Sequence, residues 1–222
     1  MEIKDFSGIE RTIKEIITSA KETTNKFSAM TAETLLFEGK FGNLGTKWDD
    51  CKQPYDLGEQ IQQSMTMLVT CYAIGKWFSE KYQYPFKVSP AGKNGQDISD
   101  KQGQMTCEIF AAKKSTNNQK LWHDLNALAI KEGPSKKFVF CCSPDEIKIL
   151  KGEKHSSQKF NFLFNKVKCS NVPENKFREI TVEISGEDKS KKKSYEKQSI
   201  SIIHVTPCIV HQWVRNLSLS GL

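Results

Sequence analysis

The sequence predicts an α/β domain in which helices flank a central mixed sheet, preceded by a mainly helical N-terminal segment. Three observations predict this class. Apolar residues recur at helical spacing in the first part of the chain. Residues 108–142 run as strand, helix and strand, and the last third holds strand-like stretches with little helix between them. We expect a single domain over residues 1–222, made of a helical segment, a central segment and a β-rich segment: 1–84, 85–150 and 151–222.

Composition and charge narrow the class of protein. A chain of 222 residues with 37% apolar and 10% aromatic residues can build a packed core, which excludes a disordered chain. The net charge of +7 and the pI of about 8.9 suit a polyanionic partner, nucleic acid before an anionic membrane. A merely soluble basic protein explains them equally well.

The cysteines and the apolar runs predict the compartment. The seven cysteines are odd in number and lack Cys-x-x-Cys spacing, which indicates neither a zinc ribbon nor a disulfide framework. Several lie in apolar runs as small core residues, which fits a reducing cytosol. The N-terminus has no apolar signal core, and no run has the length of a membrane helix. We therefore expect a soluble cytoplasmic protein with no membrane partner.

The N-terminal segment is predicted to hold two helices separated by an irregular stretch. Residues 5–26 place Ile9, Ile13 and Ile16 on one face. Residues 27–55 are broken by glycines and predict no regular element. Residues 56–82 predict the longest helix, begun by a capping box of Asp56 and Glu59.

Two carboxylates are predicted to meet on a hairpin in the middle of the chain. Asp97 precedes a polar turn, and Glu108 lies within a strand-forming run at residues 105–112. Alternate residues of a strand point the same way, so a hairpin brings these two acids together across the pair. Close carboxylates repel unless a cation or a shared proton lies between them, and Mg²⁺ is the usual hard cation. The alternative is a surface hairpin with two unrelated acids.

A helix and a buried strand are predicted to follow the hairpin. Residues 118–131 place leucines inward at helical spacing, and on this helix His123 and Asp124 are expected on a solvated face. Residues 137–142 are almost continuously apolar, as in a strand covered on both faces. The order strand, helix, strand predicts a crossover between parallel strands.

The last third of the chain predicts a β-rich part closed by a helix. Residues 160–164, 178–184 and 198–205 have strand character, and residues 207–217 have a helical apolar face. A lysine-rich loop lies between the last two strands. Such a loop is most often solvated, but on a basic protein it is also a candidate for binding phosphates of nucleic acid: Lys189, Lys191, Lys192 and Lys193.

The helix, the acidic hairpin, the next helix and the buried strand resemble the PD-(D/E)XK nuclease superfamily, the restriction-endonuclease-like fold. The residues that carry the resemblance are Gly95-Gln96-Asp97-Ile98 and Cys107-Glu108-Ile109-Phe110-Ala111-Ala112. It spans roughly residues 56–142. It implies a three-layer fold, Mg²⁺ held by the Asp and the Glu, and a lysine that orients or helps deprotonate the attacking water.

The lysine departs from the family pattern. The residue two positions after Glu108 is Phe110, where the family has Lys. Lys113 lies five residues on, so regular alternation turns it to the other face unless a bulge intervenes. Lys120, near the start of the next helix, can reach back on its long stem. Gln96 also replaces the usual Pro before the Asp.

The resemblance implies a Mg²⁺-dependent, sequence-specific DNA endonuclease of the type II restriction kind that acts on double-stranded DNA as a homodimer. Asp97 and Glu108 would hold the metal, and Lys120 or Lys113 would be the catalytic cation. Glu59 is a further candidate metal ligand, although its expected role is the helix cap. Because the usual lysine is missing, a catalytically inactive nucleic-acid-binding module on the same fold stays open.

Overall fold

The strands of the computed structural model form one mixed sheet. The structure describes residues 1–42, 45, 56–89, 97–113, 119–171 and 178–220. Within these ranges the strands are β1 (Glu2–Ile3), β2 (Phe86–Val88), β3 (Ile98–Asp100), β4 (Met105–Ala111), β5 (Lys136–Cys142), β6 (Lys154–Ser156), β7 (Phe160–Asn171), β8 (Arg178–Asp188) and β9 (Lys193–Val205). Their order in the sheet is β1-β2-β3-β4-β5-β9-β8-β7-β6. The sheet therefore contains strands from all three predicted segments.

The direction of pairing changes along the sheet. Strand β5 is parallel to β4 on one side and to β9 on the other, and the remaining neighbours are antiparallel. The prediction of an α/β chain with a mixed sheet is confirmed. The predicted parallel crossover is also present, because β4, a helix and β5 follow in that order.

The helices in the described part of the chain are α1 (Phe6–Ser28), α2 (Ala32–Phe41), α3 (Leu57–Ala73), α4 (Lys120–Ala129) and α5 (Pro207–Ser220). A π-helical segment, Ile74–Phe78, continues α3. Two expectations were wrong. Residues 32–41 form a helix, not an irregular stretch, because Thr31 caps it by accepting from the Thr34 N–H. The longest helix is α1, with 23 residues against 17 in α3.

Helices lie on both faces of the sheet and create two cores. Helices α1, α3 and α5 share one core with alternate residues of β4 and β5. Helix α4 shares the other core with β5, β7, β8 and β9. Along β5, Phe138 and Phe140 point to the first core and Val139 and Cys141 to the second. This explains why that strand is almost continuously apolar.

A buried polar network joins α1 to α3. The side chain of Gln60 donates to Ser19 Oγ at 2.9 Å and accepts from Thr23 Oγ1 at 2.7 Å. All three residues are buried, so these hydrogen bonds satisfy polar groups that water does not reach. The network fixes the register of the two helices that cover the first core.

The described cysteines are unpaired, and the described helices do not have membrane-spanning character. Within the described ranges the cysteines are free thiols: Cys71, Cys107, Cys141, Cys142, Cys169 and Cys208. Cys51 lies outside those ranges. Among the helices that the structure describes, none combines the length and the apolar character needed to cross a membrane.

Candidate active site

The hairpin of β3 and β4 brings Asp97 and Glu108 side by side. Ile98 pairs with Cys107, so the residues just outside that pair, Asp97 and Glu108, face each other. The Asp97 carboxylate accepts a hydrogen bond from the Ile109 N–H at 2.7 Å. Both acids are buried, with exposed fractions of 7% and 4%. Gly95 and Gln96, the start of the predicted motif, lie outside the described residues.

Helix α4 adds an ammonium and a third carboxylate to this pair. It begins at Lys120 and packs against β4 and β5 on the face that carries Glu108. Lys120 Nζ donates to Asp124 Oδ1 at 2.6 Å, one helical turn away. The Asp124 side chain is buried, whereas the Lys120 side chain is 48% exposed. Lys120 thus borders solvent while its partner lies inside.

Burial perturbs all three acids in the same direction. Burial, together with the charges of Asp97 and Asp124, raises the pKa of Glu108 to about 8, although Lys120 and Lys131 lower it. Burial raises the pKa of Asp97 to about 6 and that of Asp124 to about 6, although Lys120 lowers both. Mutual charge effects of this kind require the groups to lie near one another. The site is therefore a cluster of three acids, with the ammonium of Lys120 paired to one of them.

The ammonium of Lys120 is held in its charged form. Burial lowers the pKa of Lys120, but Asp124, Glu108 and Asp97 outweigh it and leave the pKa above its ordinary value. A lysine in this state donates hydrogen bonds and contributes positive charge. It does not serve as a proton acceptor near neutral pH.

Two carboxylate oxygens of the cluster lack a hydrogen-bond partner within the part of the chain that the structure describes. They are Glu108 Oε1 and Asp124 Oδ2. In those same ranges, no three side chains of His, Cys, Asp and Glu converge closely enough to form a metal site of their own. Mg²⁺ commonly takes one or two carboxylates and keeps several waters. Asp97 and Glu108, with a buried oxygen in need of a partner, fit that requirement.

A buried phenylalanine occupies the lysine position of the family pattern, and Lys113 lies on the side of the sheet that α3 covers. Phe110 is 4% exposed and packs in the core under α4. Lys113 is exposed and lines a groove with Gly58, Ile61 and other residues of α3. Helix α3 covers the face of the sheet opposite α4. The structure therefore brings Lys120, and not Lys113, to the acids.

Glu59 lies in the helix cap. Its carboxylate accepts from the Asp56 N–H at 3.3 Å, while the Asp56 carboxylate accepts from the Glu59 N–H at 2.7 Å, which completes a capping box. The side chain belongs to α3, on the face opposite Glu108. The structure does not bring this predicted metal ligand to the other acids.

The lysine-rich loop forms the turn between β8 and β9, away from the acids. Glu108 is in register with Val139 of β5, and Val139 with Ile202 of β9. Lys193 begins β9 nine residues before Ile202, which is roughly 30 Å along an extended strand. Lys189, Lys191 and Lys192 lie in the turn with exposed side chains, and Lys193 pairs with Glu132.

Asp188 attaches this turn to α4. Its carboxylate accepts from Ser190 Oγ, from the Lys191 N–H and from Asn126 Nδ2. The phenolic O–H of Tyr195 donates to Asn126 Oδ1 at 3.0 Å. The basic turn is therefore an ordered part of the protein, tied to the same helix that carries Lys120.

The expectation of a solvated face at His123 and Asp124 was wrong for Asp124. Asp124 is 4% exposed, whereas His123 is half-buried beside the ring of Phe160. The signal that could have found Asp124 is its spacing of four residues from Lys120, which places the two side chains together on a helix. Lys131, at the other end of α4, also reaches this face and donates to Thr106 Oγ1.

Comparison with known proteins adds no relative. No protein-family model, curated protein or solved structure matches this chain.

The raised carboxyl pKa values predict how stability depends on pH in the absence of metal. Between about pH 4 and pH 8 the folded cluster holds more protons than the unfolded chain, so the free energy of unfolding falls as pH rises. Glu108→Gln removes the largest shift. We expect it to stabilise the metal-free protein at pH 8 by on the order of 1–3 kcal/mol, and by less at pH 5.

Thermal unfolding in EDTA across this pH range measures the effect. Glu10→Gln, on the exposed side of α1, is the matched control and should follow the wild type. If Glu108→Gln is less stable than wild type at pH 8, the Glu108 carboxylate does not destabilise the metal-free fold, which contradicts the raised pKa.

Proposed function

We propose that this protein is a Mg²⁺-dependent DNA endonuclease of the type II restriction kind, which hydrolyses phosphodiester bonds. The observation that carries the proposal is the charge of the cluster. Among the described residues, three buried carboxyl groups lie beside Lys120, which pairs directly with Asp124, and Lys131, which acts on Glu108, so full ionisation leaves an excess of negative charge. Burying unpaired charge is strongly unfavourable, and a divalent cation bound by the carboxylates would offset it.

The residues have distinct roles in this proposal. Asp97 and Glu108 would hold Mg²⁺, which when bound polarises the phosphoryl oxygen and acidifies water. Asp97 is already fixed by the Ile109 N–H, so its free lone pairs have a defined direction. Lys120, charged and partly exposed, donates to the attacking water or to the phosphate and places it beside the acids.

The order of elements supports a restriction-endonuclease-like fold. Helix α3, the acidic hairpin of β3 and β4, helix α4 and the buried strand β5 follow one another as the sequence resemblance requires. Helices on both faces of the sheet fit the expected three layers. We infer that the lysine has moved from the strand to α4, where Lys120 reaches the same acids.

Double-stranded DNA is the proposed substrate, and the proposed active form is a homodimer. The net charge of +7 favours a polyanionic partner. The dimer and the symmetric target site depend on the family resemblance alone. We expect the protein to act in the cytoplasm, as its cysteines indicate.

A catalytically inactive nucleic-acid-binding module is the second candidate. The observation that favours it is Phe110, a core residue at the position where the family has its lysine. The two candidates differ in one measurable property. The module binds DNA but leaves it intact in Mg²⁺.

The acids provide the first test. Wild-type protein with plasmid DNA and Mg²⁺ should give discrete fragments, and EDTA should prevent them. Asp97→Ala and Glu108→Ala should each abolish cleavage, because either change removes a metal ligand, while DNA affinity stays equal or rises as repulsion from phosphate falls. Glu59→Ala, which removes only the reciprocal hydrogen bond of the capping box, is the control. Cleavage at the wild-type rate in Asp97→Ala or Glu108→Ala would refute the assignment.

The two lysines provide the second test. Lys120→Ala should lower the cleavage rate by at least about two orders of magnitude, the usual scale for a group that assists proton transfer or orientation. Lys113→Ala should retain most of the activity, since its side chain lies on the α3 side of the sheet. Single-turnover cleavage separates this effect from binding. The reverse ranking would show that Lys113 reaches the acids when DNA is bound.

The basic turn provides the third test. Changing Lys189, Lys191 and Lys192 together to Ser should weaken binding to all DNA sequences and flatten the slope of log affinity against log salt by about 0.9 per lost phosphate contact. The matched control changes three exposed lysines near the N-terminus, Lys4, Lys14 and Lys21, to Ser. Equal slopes for the two triple variants would mean that the turn is merely solvated.

A further inference from the structure

Moving a catalytic lysine from a strand to a helix creates a problem of position. In the family pattern the lysine shares a strand with the metal-binding acid, so the sheet fixes its Cα and its direction. Here that place is filled by Phe110, and Lys120 must reach the acids from the first residue of α4. A lysine stem has four rotatable bonds, and ordering it costs rotamer entropy. Something else must hold the ammonium in place.

Asp124 meets that need. Its Oδ1 accepts from Lys120 Nζ at 2.6 Å, a short charge-assisted hydrogen bond. Asp124 is only 4% exposed, so packing fixes the position of its carboxylate. The Lys120 side chain that it holds is about half-exposed. The core-facing side of α4 is occupied by Leu121, Leu125 and Leu128, which lock the backbone that carries both groups.

The pair differs from an ordinary surface ion pair on a helix. Exposed pairs four residues apart contribute little to stability, because water screens them and both side chains move freely. In this pair the carboxylate is buried and its second oxygen, Oδ2, has no hydrogen-bond partner in the described part of the chain. An arrangement this unfavourable for stability is typical of a site that positions a reactive group.

We infer that Asp124 is the positioning residue for Lys120, and that the two form a Lys-x-x-x-Asp unit on α4 that replaces the strand lysine of the nuclease pattern. This inference rests on the proposed function for its catalytic consequence. The anchoring itself does not depend on that function. Asp124 acts through Lys120, so its loss should matter only while Lys120 is present.

A double-mutant cycle tests the catalytic part. Asp124→Asn keeps the shape and removes the charge, and we expect kcat to fall about 10- to 100-fold with KM little changed, as for a misplaced catalytic group. In a Lys120→Ala background the same change should have no further effect on kcat. Glu146→Gln, which breaks the ion pair with Arg178 outside the site, should leave kcat unchanged. Asp124→Glu should recover part of the activity.

Two results would overturn the catalytic part. One is an unchanged kcat in Asp124→Asn. The other is an equal loss from Asp124→Asn with and without Lys120, which would make Asp124 an independent group. Thermal unfolding of each variant shows whether it is folded. If Asp124→Asn is unfolded, Asp124→Glu is tested in its place. A positioning role predicts that this longer carboxylate retains part of the wild-type kcat.

An activity-independent measurement tests the anchoring in the metal-free protein. Proton–nitrogen NMR of lysine ammonium groups should show a slowly exchanging signal that Lys120→Ala removes. Asp124→Asn should remove the same signal, and Glu146→Gln should keep it. If the protein shows this signal but does not cleave DNA, the anchoring of Lys120 by Asp124 is supported and the proposed nuclease function is refuted. A Lys120 signal that is unchanged in Asp124→Asn would overturn the inference whatever the activity.

Discussion

The structure depends on one constraint: it buries several carboxyl groups together with too few positive charges to balance them. Asp97, Glu108 and Asp124 are each at least nine-tenths buried, and in the described part of the chain Lys120 pairs with Asp124 while Lys131 acts on Glu108. Hydrophobic packing on the two faces of the sheet supplies the stability that such a cluster removes. The fold therefore holds its acids in a state that protons or a cation must relieve.

Much of this arrangement follows from local sequence. The hairpin was predictable because a polar turn separates two strand-forming runs, and the alternation of side chains then places Asp97 beside Glu108. The same alternation predicted that Lys113 turns away from Glu108, and the structure places it beside α3. The hairpin and the directions of its side chains are set by residues close in sequence, so they can be predicted without knowledge of long-range contacts.

Other features depend on contacts that the local pattern does not contain. Asp124 stands next to His123 on a helix and has the sequence character of a surface residue. It becomes buried because α4 is enclosed by β4 and β5 and by the long strands β7, β8 and β9, whose lengths exceed the predicted ones. The position of the basic turn could not be predicted from the local sequence either, because it depends on how far β8 and β9 extend beyond β5.

Helix α4 has only ten residues, yet its side chains contact two separate parts of the molecule. Lys120 faces the acids, and Asn126 holds Asp188 and the turn between β8 and β9. Each residue added to an α-helix rotates everything beyond it by about 100° and advances it by about 1.5 Å. An insertion or deletion within α4 would thus unseat either the lysine or the turn. The separation of Lys120 and Asn126 along α4 is therefore fixed by two contacts at once.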